Sequence, residues 1–287
     1  MRNGKTKIQR EMDTLKTRKF INSHRNIIYG MMLGDASISC RGGSACFRVQ
    51  HGVNQKDYLF HKYGLMEEVS YPPKFAEDDR GVDALIKWRY WFFYTMRSTE
   101  WLRVWSTFHQ NGRVHMHGSR KYIEKVVTPT IMSNLDDHSV ALWIMDDGGL
   151  SKWPHPSGTR WQQAFRLATC SFTLEENKMI LAWFKNRYGL EGGVVGRNTV
   201  RQPNGEVREY PTIQFGIADY LKIVERVRSY VPECMSYKFA VDSQRHVQGT
   251  PEFAPEDDAL RAAGRPAELA EMTSRPDREL LCGSLFD

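Results

Sequence analysis

The stretch VALWIMDDGG at residues 140–149 decides which fold the sequence predicts. Its apolar run is typical of a buried helix, yet the run ends in two adjacent aspartates followed by two glycines. A related stretch, IYGMMLGDA at residues 28–36, also places small residues within an apolar run that ends in an aspartate. Two such stretches in one chain indicate a repeated architecture, in which a buried helix ends at a carboxylate in each half.

Shorter segments also recur, and they do so in the same order after each aspartate. FRV at 47–49 is matched by FRL at 165–167, and YGL at 63–65 is matched by YGL at 188–190. Strand patterns and helical spacing alternate around these segments in both halves. We therefore predict a duplicated unit built from helices and strands.

The segment ALIKWRYWFFYTM at 84–96 alternates in character and predicts one of these strands. We expect one face of it to be basic and exposed, with Lys87, Arg89 and Trp91. The other face is expected to be buried and aromatic, with Ile86, Trp88, Tyr90, Phe92 and Tyr94.

Composition bounds the class of protein. The chain has 287 residues, 41% of them hydrophobic, which is enough for a substantial core. Its net charge is +6, although the segment from 251 onward is acidic, so the rest of the chain is strongly basic. A basic body suits a polyanion such as nucleic acid, but a basic protein without that partner has the same composition. Neither an apolar run of about 18 residues nor a secretory signal is present, which predicts an intracellular protein without a membrane partner.

The chain is predicted to divide into four segments. Residues 1–23 are polar and charged and are expected to form a loose basic arm, and residues 243–287 an acidic, flexible tail. Between them we predict a first repeated unit at 24–134 and a second at 135–242.

The two aspartates suggest a metal site. Gly30 and Gly34 share one helix face, where the lack of side chains lets a second helix approach, which would bring Asp35 and Asp147 together at the helix ends. Two carboxylates there would repel each other and face the negative ends of the helices unless a cation compensated. Oxygen ligands favour Mg²⁺, which can activate water for phosphodiester hydrolysis. Helix ends capped by glycine are the simpler explanation for either stretch alone.

At these residues the sequence resembles the LAGLIDADG homing endonucleases in their single-chain, two-motif form. The motifs stand here as IYGMMLGDA and VALWIMDDG, so the resemblance implies that Asp35 and Asp147 are the metal ligands. It also implies an α+β fold of two pseudo-symmetric αββαββα units, with the motif helices at their interface and two antiparallel sheets forming a saddle for double-stranded DNA.

The resemblance further implies a monomer that depends on Mg²⁺, with Mn²⁺ as a substitute, and that cuts both strands to leave 3′ overhangs. Lys238 matches a basic residue beside the metal site, and Lys125 is its counterpart in the first half, with Lys121 as the competing choice. Gln50 fits a position that organises water, where the second half has Ala168. The sheet residues expected to contact DNA are Lys87, Arg89, Arg197, Arg201 and Arg208.

Three functions remain open at this stage. The leading one is a site-specific homing endonuclease that mobilises its own intron, cytoplasmic in a bacterium or archaeon and organellar if encoded in an organelle. The second is a maturase that binds intron RNA without nuclease activity, although such a protein has no need of both aspartates. The third is a DNA-binding regulator, which would be expected to carry a separate recognition domain.

Overall fold

The computed structural model describes residues 6–79, 87–117, 120–154, 161–201 and 207–241. Contacts divide the chain into two compact units. Within the described residues, the first unit holds the chain up to Asp147 together with Arg226–Phe239, and the second holds Gly148–Glu225. The predicted tail at 243–287 lies outside the described residues.

The elements follow one another in the predicted repeating order. A first helix, α1 (Lys7–Ser23), precedes the first repeat, which consists of α2 (Arg25–Leu33), β1 (Ser37–Arg41), β2 (Ser44–Gly52), α3 (Lys56–Met66), β3 (Lys74–Asp79), β4 (Lys87–Tyr94) and α4 (Glu100–His109). A connection with β5 (Val114–His117), β6 (Arg120–Ile123) and α5 (Pro129–Ser133) follows. The second repeat consists of α6 (Asp137–Asp147), β7 (Gly148–Pro154), β8 (Trp161–Leu167), α7 (Leu174–Tyr188), β9 (Val194–Arg201), β10 (Val207–Gly216) and α8 (Ile217–Val227).

The two repeats build sheets of the same topology. The strand order is β1-β2-β4-β3 in one sheet and β7-β8-β10-β9 in the other, and every pairing is antiparallel. The predicted α+β fold with two αββαββα repeats is confirmed. Among the described residues, none of the helices is sufficiently long and apolar to cross a membrane.

The N-terminal segment differs from the loose arm that was expected, because α1 is a helix of 17 residues. Thr6 caps its first turn by accepting a hydrogen bond from the Gln9 N–H at 3.2 Å. Phe20 and Ile21 are buried, and Arg18 forms an ion pair of 2.7 Å with the buried carboxylate of Glu100 in α4. Only a narrow face of α1 is apolar, so the sequence alone did not show that the helix packs on α4.

The boundary between the compact units also differs from the predicted boundary between the repeats. Residue 135 begins the second repeat in sequence, but α6 belongs to the first compact unit. Helices α2 and α6 approach closely at Gly30, where an added Cβ would lie only 2.5 Å from the backbone oxygen of Ser139. This packing unites the two motif helices in one core.

The predicted faces of β4 are wrong. Trp91 and Phe93 face α3, since their ring centroids lie 5.6 Å from Phe60 and 5.7 Å from Tyr63, respectively. Arg89 alternates with them and therefore belongs to the helix-side face of the sheet. The strand carries aromatic residues on both faces, so alternation alone did not identify the face that packs on the helix.

The opposite, open face of this sheet carries other side chains. It holds Tyr90, Phe92 and Tyr94, which the sequence analysis placed in the core; Tyr90 is buried as expected, whereas Phe92 and Tyr94 are partly exposed. Residues Arg48 and Gln50 of β2 pair with Tyr94 and Phe92 and so share this face. The guanidinium of Arg48 lies 5.4 Å from the ring centroid of Tyr94.

The second unit has a core of its own. Phe165 of β8 stacks on Tyr220 of α8 with ring centroids 4.2 Å apart, and Phe184 of α7 contacts Phe215 of β10. Helix α7 begins with a capping box in which Thr173 and Glu176 satisfy each other's backbone N–H groups. These packed helices cover one face of the sheet.

Candidate metal centre

The two motif helices end side by side within the first unit. Apart from its first two residues, α2 is buried throughout, and α6 is buried from Ser139 to Met145. Their closest approach depends on Gly30, discussed above, and on Gly34, because a Cβ on Gly34 would overlap the Asp146 carboxylate. Asp35 follows Gly34, the C-cap of α2, and Asp147 is the last residue of α6.

A lysine lies at the end of each motif helix. The Lys125 ammonium donates to the backbone oxygens of Met32, Gly34 and Ala36 at 2.8, 3.2 and 2.8 Å. The Lys238 ammonium donates to the Asp146 backbone oxygen at 3.0 Å. Each lysine therefore offsets the negative end of one helix dipole. The side chain of Lys121, the competing choice for the first-half lysine, lies outside the described part of the chain.

Asp35 and Asp146 form a carboxylate pair here, whereas the sequence analysis paired Asp35 with Asp147. In the described residues, Asp35, His51 and Asp146 offer ligand atoms that all lie within 4.8 Å of one another. Asp147 is not a member of this cluster. Its carboxyl group instead interacts electrostatically with Asp146, Lys125, Lys238 and Lys62.

Asp146 is held by several donors. Its Oδ1 accepts hydrogen bonds from Lys62 Nζ at 2.6 Å and from the Tyr58 hydroxyl at 2.9 Å. Its Oδ2 accepts the backbone N–H of Asp35 at 2.9 Å. The Lys62 and Asp146 side chains are both fully buried. Asp146 is thus a bonded, compensated carboxylate whose oxygens are already engaged.

The pKa of Asp147 differs strongly from that of an ordinary aspartate. Burial, together with the charge of Asp146, raises its pKa from 3.8 to about 7, against the lowering effect of Lys125, Lys238 and Lys62. Burial lowers the pKa of Lys238, although Asp146 and Asp147 oppose that shift. The group at position 147 therefore gains more from a nearby cation than an exposed carboxylate would.

His51 is neutral at physiological pH. Burial and the neighbouring Lys62 lower its pKa from 6.5 to about 3, although Asp146 and Gln55 oppose the shift. Its Nδ1 lies 3.7 Å from Asp35 Oδ2 and 3.2 Å from Gln55 Oε1. The ring contacts Tyr58, with centroids 4.9 Å apart.

Gln50, predicted to organise water, lies on the open face of β2 and accepts a hydrogen bond from Arg48. Ala168, its counterpart in the second half, is exposed and offers no polar group. No described contact tests the predicted role of Gln50.

The basic sheet residues fall into two groups. Arg89 forms an ion pair of 3.0 Å with Glu77, and Arg197 forms one of 2.6 Å with Glu209. Both arginines are exposed, so these pairs are worth little and can exchange for other anions. The backbones of the remaining three residues lie in strands, but their side chains lie outside the described part of the chain: Lys87, Arg201 and Arg208.

Sequence reasoning missed three residues of the site, namely His51, Tyr58 and Lys62. They follow the first motif by more than a dozen residues, and nothing in their spacing marks them. One signal was available, since the first motif ends in Gly34 and Asp35 where the second ends in Asp146 and Asp147. A glycine opposite an extra carboxylate indicates that the carboxylate occupies the space that the glycine leaves.

The sequence model of the LAGLIDADG DNA endonuclease family matches residues 25–204. The chain belongs to this family. The match spans both motif helices, Lys125 and most of the second repeat, and it ends before Lys238. The predicted resemblance to the LAGLIDADG family is confirmed.

Relatives of the chain include both an mRNA maturase and a DNA endonuclease. The cytochrome b mRNA maturase bI2 of Debaryomyces hansenii is 25% identical over 225 residues, which span 74% of this chain and 71% of the relative. The DNA endonuclease I-ChuI of Chlamydomonas applanata is 23% identical over 232 residues, which span 78% of this chain and 97% of the relative.

A solved structure, the homing endonuclease I-WcaI bound to its DNA recognition sequence, has a similar fold. The TM-score is 0.59 at 20% identity, and the match covers 84% of this chain and 96% of that one. This likeness concerns the fold alone.

The donor chemistry of the site fits a divalent metal ion of the kind that LAGLIDADG endonucleases use. Asp35 and Asp147 offer carboxylate oxygens, which hard cations such as Mg²⁺ prefer. A bound cation would also favour the ionised form of Asp147, whose pKa is otherwise raised. Asp146 is a poorer ligand, because Lys62, Tyr58 and the Asp35 N–H already occupy its oxygens.

Proposed function

We propose that this LAGLIDADG protein is a site-specific homing endonuclease that hydrolyses one phosphodiester bond in each strand of a DNA duplex, leaves 3′ overhangs and thereby mobilises its own intron. The observation that carries the proposal is the pair of motif helices that end at Asp35 and Asp147, each with a lysine ammonium on its terminal carbonyl groups. We propose that the protein acts as a monomer, since one chain contains both motifs.

In this proposal Asp35 and Asp147 hold the metal, with Mg²⁺ as the physiological ion and Mn²⁺ as a substitute. When held by these carboxylates, a divalent ion would supply an activated water and would stabilise negative charge on the attacking and leaving oxygens. Lys125 and Lys238 fix the ends of the helices that carry the carboxylates. In this proposal their positive charge would also stabilise negative charge that develops on the reacting phosphate. Gln50 is proposed to orient a water molecule from the open face of β2.

The open sheet faces are proposed to bind DNA. Arg48 and Lys74 lie on the open face of the first sheet, beside the aromatic rings of Phe92 and Tyr94. In the second unit, Arg166 pairs with Gln214 across β8 and β10, and neither lies on the face that α7 covers. Arginine and glutamine suit guanine and adenine edges in the major groove. Lys87, Arg197, Arg201 and Arg208 remain proposed contacts, with Arg197 first having to leave Glu209. Arg89 also remains a proposed contact, but it lies on the helix-side face of β4 and would have to leave Glu77, so any contact it makes with DNA would lie outside the open face.

A cleavage selection tests the proposal. The purified protein is incubated with Mg²⁺ and a library of duplexes that contains randomised and candidate intron-insertion sites, and the ends are sequenced. We expect one discrete site with 3′ overhangs, and no cutting with EDTA or by the Asp147→Asn variant. Cutting that continues unchanged in EDTA, or in the variant, would refute the assignment of the metal site.

A second function has a specific observation in its favour, since one relative is named a cytochrome b mRNA maturase. In that case the basic surface would bind intron RNA and assist splicing, as a second activity or as the main one. Salt-sensitive binding of intron RNA, without any metal-dependent cutting of DNA, would support this alternative over the nuclease. The presence of both Asp35 and Asp147 favours the nuclease, because RNA binding alone does not require them.

A further inference from the structure

Lys62 is the most unusual titratable residue that the proposed function does not use. It is fully buried in α3, where a lysine is rare unless it is paired. Its ammonium lies 2.6 Å from Asp146 Oδ1 and 3.1 Å from His51 Nε2. The ammonium also lies 4.5 Å from the ring centroid of Tyr58. A buried charge with this many specific partners calls for an explanation beyond packing.

Both polar partners of Lys62 contact Asp35. Asp146 Oδ2 accepts the Asp35 backbone N–H at 2.9 Å, which fixes the main chain at the residue that carries the carboxylate. His51 Nδ1 lies 3.7 Å from Asp35 Oδ2 and therefore faces the carboxylate itself. Lys62 is thus linked to Asp35 in two ways: through Asp146 to the Asp35 backbone, and through His51 to the Asp35 side chain.

The contact with Lys62 also sets the tautomer of His51. An ammonium group has donors and no acceptor, so the Nε2 atom that faces it must accept the hydrogen bond. The proton of the neutral ring then resides on Nδ1, and the N–H is directed at Gln55 Oε1, 3.2 Å away, and towards Asp35 Oδ2. With the other tautomer, a lone pair would face both oxygens and repel the carboxylate.

We propose that Lys62 is a positioning residue for Asp35, which it holds in place by anchoring Asp146 and by fixing the Nδ1–H tautomer of His51. The proposal rests on the endonuclease function proposed above. It assigns Lys62 no contact with the metal or with DNA.

The second repeat has no equivalent of Lys62 and its two polar partners, Asp146 and His51. The repeated YGL segments align Lys62 with Arg187 of α7 and Tyr58 with Trp183. The Arg187 guanidinium lies 5.4 Å from the ring centroid of Trp183 and is half-buried rather than buried.

Its two polar partners are also missing from the second repeat. The FRV and FRL segments align His51 with Thr169, which is bonded to Asn177 inside the second unit. The motif residue that corresponds to Asp146 is Gly34, which has no carboxylate to offer. Lys62, Asp146 and His51 therefore support Asp35, and the second repeat has no equivalent set for Asp147. The loss of Lys62 is thus expected to affect cleavage of the two DNA strands unequally.

The first test measures the nicking rate of each strand. A duplex with the site found by the cleavage selection is labelled at both 5′ ends with different dyes, and the two rates are followed under single-turnover conditions. The variants are Lys62→Met and the double variant Lys62→Met/Asp146→Asn, in which no buried charge is left uncompensated and the new Asn side chain can still accept the Asp35 N–H. Arg18→Met is the control, because it removes a cationic partner of another buried carboxylate, Glu100, in the same unit. Glu100 retains its ion pair of 3.3 Å with Arg103.

We expect both Lys62 variants to change the ratio of the two strand rates by about 10- to 100-fold, as for a carboxylate displaced by a fraction of an ångström to one ångström. The control is expected to leave the ratio unchanged. A purely structural role for Lys62 would lower the active fraction and slow both strands equally, so the ratio separates the two explanations. An unchanged ratio in the folded double variant would overturn the proposal.

The second test needs no activity. Nitrogen NMR of the metal-free protein distinguishes the two His51 tautomers, and we expect Nδ1–H in the wild type and a loss of that preference in the double variant. A wild-type Nε2–H tautomer would overturn the proposal. If the wild type cuts no DNA at all, the proposed function fails, while the tautomer result still decides whether Lys62 orients His51 towards Asp35.

Discussion

The close approach of the motif helices makes a quantitative prediction for Gly30→Ala. An added Cβ would lie 2.5 Å from the backbone oxygen of Ser139 and 2.6 Å from its Cα. An ordinary contact needs about 3.5 Å, so the helices would have to separate by about 1 Å. The obstacle is backbone, so it cannot turn aside as the end of a flexible side chain would.

Gly64→Ala is a matched control within the same unit. Gly64 also lies in a helix, near the end of α3, and an added Cβ there would meet nothing within 4 Å. Alanine is favoured over glycine in a helix by about 0.8–1.0 kcal/mol, so Gly64→Ala is expected to stabilise the protein by up to that amount. Gly30→Ala has the same intrinsic gain, but overpacking costs about 1–3 kcal/mol or more and reverses the sign.

Urea unfolding followed by circular dichroism measures both changes, and single-turnover cleavage measures the consequence for function. We expect Gly30→Ala to lower the midpoint, Gly64→Ala to raise it slightly, and only Gly30→Ala to reduce cleavage, by about 100-fold for a misplacement of 1 Å. If Gly30→Ala were as stable as Gly64→Ala, with full cleavage, the packing of α2 on α6 at this position would be refuted.

Three further predictions concern the site and helix α7. Asp147→Asn in EDTA is expected to stabilise the protein increasingly as the pH rises from about 4 through about 7. The reason is that the raised pKa of Asp147 makes the folded wild type lose stability over that interval. Thermal melts that show the same difference between variant and wild type at pH 5 and at pH 8 would contradict this prediction. Lys62→Met is expected to cost about 3–5 kcal/mol by leaving Asp146 buried and uncompensated, and adding Asp146→Asn should recover much of the loss in urea unfolding. Thr173→Ala should cost about 1 kcal/mol by removing the α7 capping box, with no effect on the ratio of strand rates, whereas a neutral result in unfolding would show that the cap contributes little.

The repeat and its motif helices could be predicted from the sequence, and the reason is local. Apolar runs that end in an aspartate, the recurrence of YGL and the Thr173 capping box all depend on residues within a few positions of one another. The same locality explains why Asp35 and Asp147 could be placed at helix ends before any tertiary contact was known. Lys125 and Lys238 required the additional resemblance to a family.

The helix at Lys7–Ser23 and the faces of β4 were not predictable in the same way. Helix α1 is mostly polar, and only its contact with α4 shows which side is buried. Strand β4 carries aromatic residues on both faces, so the position of α3 decides which of them enter the core. In both cases another helix, α4 for α1 and α3 for β4, decides which face is buried, because the sequence pattern alone is compatible with either face.

By itself, the sequence determined the duplicated fold, the two motif helices and the carboxylates at their ends, because these features depend on short-range periodicity and on residue types that end helices. Only the tertiary structure decided that Lys62 and Asp146 form a buried ion pair, that His51 faces Asp35 and that Arg48 lies on the open face of its sheet. These contacts join residues from separate elements, and their geometry depends on how helices and strands pack. Burial and the neighbouring charges then shift the pKa of the groups, as they do for the raised pKa of Asp147.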